Sequence, residues 1–299
     1  MNIILIAKHD WANLGYTFSE CLKSIGINAV MVGKPLRIYR YPKSGLAFKH
    51  LEKYVYDADI IQFMHSQYIE LPNLLNKKVF AFHGGDRYRH DYKIVNDIFN
   101  SIVYKSFIQT GDLIGLGAKN EVWMLPAVDT KNLFPDFKRV WHRKIVIGHF
   151  PSNSNVKGSE IINKAIARLK INDAVREKFE YRYLDNKVEW SEQINRILSC
   201  DIYIEQMKLG EWGVTALEAA ALGRIVVTNF KSLNRYNKEY GKCGLVVAND
   251  EFELENKLIE LLNMDDFAID SLKHSSRKWV EKFHSYEAIG NRLLKEYIT

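Results

Sequence analysis

Residues Cys200 to Phe230 read CDIYIEQMKLGEWGVTALEAAALGRIVVTNF. The runs Asp201–Glu205 and Ile225–Thr228 have the length and branched apolar content of buried strands. Between them lie a turn bearing Gly210 and Gly213 and an Ala-rich helix carrying Glu218. Strand, helix and strand in that order make a parallel crossover unit. A glycine turn that opens a helix exposes unpaired N–H groups at the positive end of the helix dipole, which is an anion site. Glu218 stands about a turn into the helix, where its carboxylate can accept bonds from hydroxyl groups. Phosphate on the amides and hydroxyls on the carboxylate describe a nucleotide sugar.

The same alternation runs through the whole chain. Strands are predicted at Asn2–Ala7, Ala29–Val32, Ile60–Met64, Val79–Phe82 and Val122–Leu125, with a helix ending near Gly26 and another over residues 91–104. A second series places strands at Ile145–His149, Tyr181–Leu184, Asp201–Glu205, Ile225–Thr228 and Gly244–Val247. Its helix Gly158–Leu169 sets Ile161, Ile162, Ala165, Ile166 and Leu169 on one face, and Phe252–Tyr297 reads as a polar helical tail. The fold class is α/β: two Rossmann-like, doubly wound domains. Pro126, Pro135 and a charge cluster mark residues 126–144 as the linker. The boundaries expected are 1–135, 136–285, and a C-terminal helix over 286–299 able to pack back on the first domain.

Composition excludes several classes. The 299 residues suffice for two medium domains, and an apolar fraction of 47% is ordinary for a globular chain. No run approaches the roughly 20 apolar residues of a membrane span. The start, MNIILIAKHD, reads as a strand and not as a signal peptide. Cys21, Cys200 and Cys243 are odd in number and widely spaced, as expected of reduced thiols in a cytoplasm, and they offer no zinc spacing. The net charge of +6 is uneven: residues 1–140 carry 18 Lys/Arg against 13 Asp/Glu. Lys34, Arg37, Arg40, Lys43, Lys49 and Lys53 alternate with Tyr39, Tyr41, Phe48 and Tyr54. That mixture suits a solvated face, an anionic membrane surface or a phosphorylated acceptor. No nucleic-acid motif accompanies it, so nucleic acid is not an expected partner.

Ligands of doubly wound sheets sit beyond the carboxyl ends of the strands. One such loop is His83-Gly84-Gly85-Asp86-Arg87, whose glycines let backbone approach a ligand. Another is Pro151-Ser152-Asn153-Ser154-Asn155-Val156-Lys157-Gly158, which puts a lysine beside a helix start. In His9-Asp10-Trp11-Ala12-Asn13-Leu14-Gly15, helix capping by Asp10 or Asn13 is the favoured role, with His9 or Asp10 as a base left open. Asp185-Asn186-Lys187 follows a strand where a nucleotide base is commonly held.

Taken together, these segments resemble the retaining GT-B glycosyltransferases of the large family four type, over most of the chain. Glu218 with Ala219, Ala220, Leu222 and Gly223 matches the second Glu of that family's Glu-x7-Glu signature. The first Glu is replaced by Gly210, and Gly210-Glu211-Trp212-Gly213-Val214 looks like a sub-branch that carries Gly there. His83–Asp86 resembles the His-Gly-Ser-Asp element, and Ser152-Asn153 leading to Lys157-Gly158 resembles the Pro-Ser-Asn and Lys-Gly segment, with Ser154 where an Arg is usual. The resemblance implies two domains facing across a cleft and transfer of a sugar from a nucleotide-sugar donor to a glycan or lipid-linked acceptor. It implies His83, Lys157 and Glu218 as catalytic residues: His83 toward the sugar, Lys157 on the diphosphate and Glu218 on the ribose. Gly84, Gly85, Asp86, Ser152, Asn153, Gly210, Glu211, Trp212, Gly213, Val214 and Thr215 are implied to hold the donor. Charge compensation is expected from Lys157 alone or shared with His149 or Arg87. No cofactor and no metal are required. A non-catalytic nucleotide-sugar or glycan-binding relative and a sugar-nucleotide epimerase stay as alternatives.

Other matches carry less. Asp57-Ala58-Asp59 reads as a helix-to-strand turn and not as an Asp-x-Asp metal motif. Gly111, Gly115 and Gly117 lack dinucleotide spacing. His50, His65, His90, His142, His274 and His284 are taken as structural or surface residues.

Overall fold

The computed structural model describes residues 1–35, 37–72, 74–137 and 144–299. Within the expected linker, residues 138–143 lie outside that set, as do His142 and the side chains of Arg37 and His50. The chain forms two compact units: Met1–Ala127 with His284–Thr299, and Val128–Phe283.

The first unit is built on β1 (Asn2–Asp10), β2 (Asn28–Pro35), β3 (Ile60–Phe63), β4 (Lys78–His83), β5 (Lys105–Ile108) and β6 (Glu121–Trp123). They form one sheet in the order β2-β1-β3-β4-β5-β6, parallel throughout. Helices α1 (Leu14–Ser24), α2 (Leu51–Asp57) and α3 (Gly85–Phe99) make the crossovers. Ile3 to Ala7 are all buried, as expected of a strand covered on both faces.

The second unit repeats the plan with β7 (Ile145–His149), β8 (Phe179–Tyr183), β9 (Ile202–Ile204), β10 (Ile225–Thr228) and β11 (Val246–Val247). Their order is β11-β10-β9-β7-β8, again parallel. The helices are α4 (Ser154–Lys157), α5 (Ser159–Ile171), α6 (Trp190–Leu198), α7 (Val214–Ala221), α8 (Leu233–Tyr240), α9 (Glu251–Leu262) and α10 (Asp266–His284). Ile162, Ala165, Ile166 and Leu169 of α5 enter the core with Ile147, Ile202 and Val227 of the sheet. Full burial of such a side chain contributes roughly 1.5–3 kcal/mol. The last helix, α11 (Tyr286–Ile298), returns to the first unit and lies on α1. Gly290 permits the approach, since a Cβ there would fall 2.2 Å from the Cys21 carbonyl oxygen.

In each sheet the chain reverses its winding after the first two strands. The switch point is between β1 and β3 in the first unit and between β7 and β9 in the second. The crevice outside the strand ends at such a point is where open α/β sheets bind ligands.

Several boundaries depart from the sequence expectation. The helix expected over 91–104 is α3, which starts at Gly85 because extended Gly84 acts as its N-cap. It bends at Asp91, whose φ is −111°. β5 was not anticipated; only Ser106–Ile108 of its four residues are buried, too short a run to signal a strand. α6 and α8 were also missed. The tail is three helices, α9 capped by Asp250 and α11 by Ser285, with breaks at residues 263–265 and at Ser285. Asp57 ends α2 and Asp59 precedes β3, so Asp57–Asp59 is a helix-to-strand turn.

Candidate functional site

At the switch point of the second unit, the loop after β7 carries Lys157 and the end of β9 carries Glu205. The Lys157 ammonium is ion-paired to Glu205 Oε1; the Glu205 side chain is fully buried, whereas Lys157 keeps 18% of its side chain exposed. Thr228 Oγ1, at the end of β10, donates to the other Glu205 oxygen at 3.2 Å. The pair lies against the start of α7: a Cβ built on Gly213 would be 3.3 Å from Glu205 Oε1 and 3.5 Å from Lys157 Nζ. No side chain caps α7, and Gly213, Val214 and Thr215 are half-buried. Its first amides have no intrahelical acceptor. Cation and amides therefore converge on one spot, the arrangement that holds phosphate.

Glu218 sits one turn further along α7 and is 8% exposed. Its Oε1 accepts the Trp190 indole N–H at 2.6 Å, from the first turn of α6. Burial pushes its pKa up to about 7, against the lowering effect of that indole bond. A carboxylate held this way is short of hydrogen-bond donors, and ligand hydroxyls would supply them.

Other expected donor residues use their side chains elsewhere. Glu211 is buried and accepts from Ser232 Oγ. The Trp212 ring sits edge-on to Phe230, Tyr236 and Trp279 in the interior. Gly210 has φ +77°, and its carbonyl accepts the Lys231 amide at 2.8 Å. Ser152 is exposed, and Asn153 Oδ1 caps α4 through the Val156 amide at 3.1 Å. His149 donates from Nδ1 to the Ile204 carbonyl at 2.8 Å, and its Nε2 meets Ser159 Oγ at 2.8 Å. Burial, aided by the nearby Lys157 charge, lowers its pKa to about 4 despite the Ile204 bond. His149 is thus neutral near pH 7, its ring committed to Ile204 and Ser159.

In the first unit, His83 ends β4. Its ring stacks on Tyr88 at 4.6 Å, and Nδ1 is 3.0 Å from Ser66 Oγ. Nε2 is sealed without a hydrogen-bond partner, and burial lowers the pKa to about 3. A Cβ on Gly84 would fall 2.1 Å from Gln109 Oε1, so only glycine fits there without displacing that side chain. Gly85, Asp86 and Arg87 are exposed.

Asp10 ends β1 and takes the capping role favoured by the sequence: its oxygens accept the Gly15 and Tyr16 amides of α1 at 2.8 and 2.9 Å. It also holds His65 Nε2 at 2.9 Å. The sequence reading takes His65 as a structural or surface residue and Glu205 as a strand end, with no role at a site for either. Both stand immediately after a buried strand at a switch point, which is the signal that could have found them.

No protein-family model and no curated protein matches the chain. Solved structures do. Anabaena Alr3699/HepE in complex with UDP and glucose aligns with a TM-score of 0.65 at 11% identity, covering 99% of each chain. A trehalose-6-phosphate synthase, described in terms of enzymatic glycosyltransfer with retention, gives 0.66 at 10% identity over 100% of this chain and 99% of that one. A putative UDP-N-acetylglucosamine 2-epimerase from Listeria monocytogenes gives 0.53 at 11%, over 98% and 94%. Two parallel-sheet units of this topology, matched end to end by these proteins, make the fold GT-B.

Proposed function

We propose that the chain is a glycosyltransferase that takes a sugar from a nucleotide-sugar donor. The observation that carries this reading is Lys157, held by Glu205 against the uncapped start of α7, with Glu218 one turn away. The lysine and the α7 amides would take the diphosphate, and Glu218 would take the ribose hydroxyls. The Gly210–Thr215 backbone is assigned to the hydroxyls of the donor sugar. HepE, a neighbour in fold, binds UDP and glucose, which supports a donor of this class.

The reaction is proposed to be retaining and metal-independent. The acceptor hydroxyl attacks the anomeric carbon on the face that the phosphate leaves, and the departing phosphate oxygen takes the hydroxyl proton. Lys157 and the helix amides offset the charge that develops on that oxygen, the electrostatic role often dominant in catalysis. A glycan or lipid-linked acceptor at the inner face of a membrane fits the basic stretch of the first unit. There Ile38 stands exposed near Lys34, Arg40 and Lys43 in sequence. No helix among the described residues is long and apolar enough to cross a membrane. A cytoplasmic location agrees with three buried cysteines that form no disulfide with one another.

The test is a thermal-shift panel of UDP-, GDP-, dTDP- and ADP-sugars, with and without Mg²⁺, on wild type and Glu218→Ala. Stabilisation by one nucleotide class, independent of Mg²⁺ and lost in the variant, is expected. No shift with any donor would sink the reading. An epimerase, suggested by the Listeria neighbour, would instead convert the donor sugar with no acceptor present.

A further inference from the structure

We infer that the buried Asp10–His65 pair of the first unit is a hydroxyl-binding subsite, taking a carbohydrate hydroxyl of the acceptor on His65 Nδ1. This deepens the transferase reading and rests on it for the identity of the ligand as acceptor.

The pair bridges the switch point of its sheet, Asp10 ending β1 and His65 lying two residues beyond β3. The Asp10 carboxylate accepts two α1 amides and has no hydrogen to give, so His65 Nε2 donates to it. In the neutral ring Nδ1 is then an acceptor. It has no hydrogen-bond partner among the described residues and is not among the sealed polar atoms. His65 keeps 7% of its side chain exposed.

The loops that hold the pair are strained and cross-braced. Ala12 and Asn13 have φ of 52° and 55°, and His65 and Ser66 have φ of 58° and 57°. Non-glycine residues enter the left-handed region at a cost, and clusters of them mark sites where geometry is enforced for a ligand. Gln67 locks the loops together: its Oε1 accepts the His9 amide at 3.0 Å and its Nε2 donates to the His9 carbonyl at 2.8 Å. Two further polar atoms on this rim lack partners: Asn13 Oδ1 and His83 Nε2 are both sealed and unbonded. Both are closed to solvent, so the polar atom of this rim left for a ligand is His65 Nδ1. A sugar hydroxyl, at once donor and acceptor, suits an oriented imidazole nitrogen better than a phosphate, for which the pair offers no free cation.

Saturation-transfer NMR with the methyl α-glycosides of glucose, galactose and mannose at millimolar concentration tests the subsite. Wild type should bind at least one, and His65→Ala should bind it about tenfold more weakly, the size of one net hydrogen bond. His65→Gln, whose amide can still donate to Asp10 and offer an oxygen, should retain most of the affinity. In wild type, the His65 Nδ1 resonance should move on glycoside addition, a change that a merely structural histidine would not show. Equal binding by a folded His65→Ala, a static Nδ1 resonance, or no binding of any glycoside by wild type would each overturn the inference. Glu218→Ala should bind glycoside normally while losing the nucleotide-sugar shift. A protein with His65-dependent glycoside binding and no nucleotide response would keep this subsite and reject the transferase.

Discussion

Glu218→Gln separates the electrostatics of the candidate donor site from its packing. The carboxyl titrates near 4.5 when unfolded and, pushed up by burial, at about 7 when folded. The folded state therefore holds the proton more tightly, and stability falls as pH rises from 4.5 through 7. Above pH 7 the group is ionised in both states, and the full penalty, at 1.36 kcal/mol per pKa unit, is about 3 kcal/mol. Between pH 5.5 and 8.5 the linkage relation assigns about 2 kcal/mol of it. Glutamine is nearly isosteric, keeps an oxygen for the Trp190 N–H and carries no charge at either pH. Urea denaturation followed by tryptophan fluorescence at both values should show the variant gaining about 2 kcal/mol on wild type as pH rises. Any constant cost of the substitution cancels in that difference. A gap between the two proteins that is the same at both pH values would refute the argument. The same shift makes nucleotide binding pH-dependent. Ribose hydroxyls donate to the carboxylate, so wild-type UDP affinity should rise from pH 6 to 8, whereas the glutamine variant should show a weaker, flat profile.

Lys157→Met removes the cation facing the fully buried Glu205 and should cost about 3 kcal/mol, most of which Lys157→Met/Glu205→Gln should recover. Both proteins should lose nucleotide affinity, and a single variant that melts with wild type would show that the pair is not buried as described. Gly210→Glu, which would give the two-glutamate pattern of the resembled signature, puts a side chain at φ +77° and against Lys231, so melting should drop by a few degrees, for a strain of about 1–2 kcal/mol. UDP-sugar affinity should not rise; an increase would mean the turn can relax into the two-glutamate form.

Most of the fold was legible because parallel strands are apolar throughout their length. Ile145–His149 and Ile225–Thr228 were located to the residue. Lys105–Ile108 and Val246–Val247 were missed or misplaced because a run of two to four residues carries too little pattern. The Gly84-Gly85 pair misled in another way. Glycines read as loop, yet here one is extended as an N-cap and the next, at φ +69°, already opens the helix. Glu218 drew notice from its place a turn into the helix after a glycine turn, and Lys157 through the resemblance; neither role is tested by the fold. The commitments of Glu211, Trp212 and His149 could not be read from the sequence, because each depends on a partner distant in sequence or on burial. Ser232 is the partner of Glu211, Trp279 borders Trp212, and Ile204 holds His149.

Glu205 supplies a carboxylate beside the glycine turn, where position 210 is glycine. A glutamate at position 210 would occupy a left-handed turn, and Glu211 faces the interior beside Ser232. Glu205 instead approaches from below, at the end of β9, with its carboxylate almost touching the space above Gly213. That position leaves little room for a side chain at 213 and requires a cation at 157, since a buried carboxylate without a partner would be several kcal/mol unfavourable. The three residues therefore form one unit of substitution: Glu205 fixes the ammonium, Gly213 clears its path, and the α7 amides complete the positive rim. The first unit solves its switch point with the same logic and different chemistry, using Asp10 to orient an imidazole where the second uses Glu205 to orient an ammonium. An oriented ammonium selects anions, and an imidazole oriented by a carboxylate turns its second nitrogen to a hydroxyl. A doubly wound chain with one of each at its two switch points is chemically equipped for a phosphate-bearing donor and a hydroxyl-bearing acceptor.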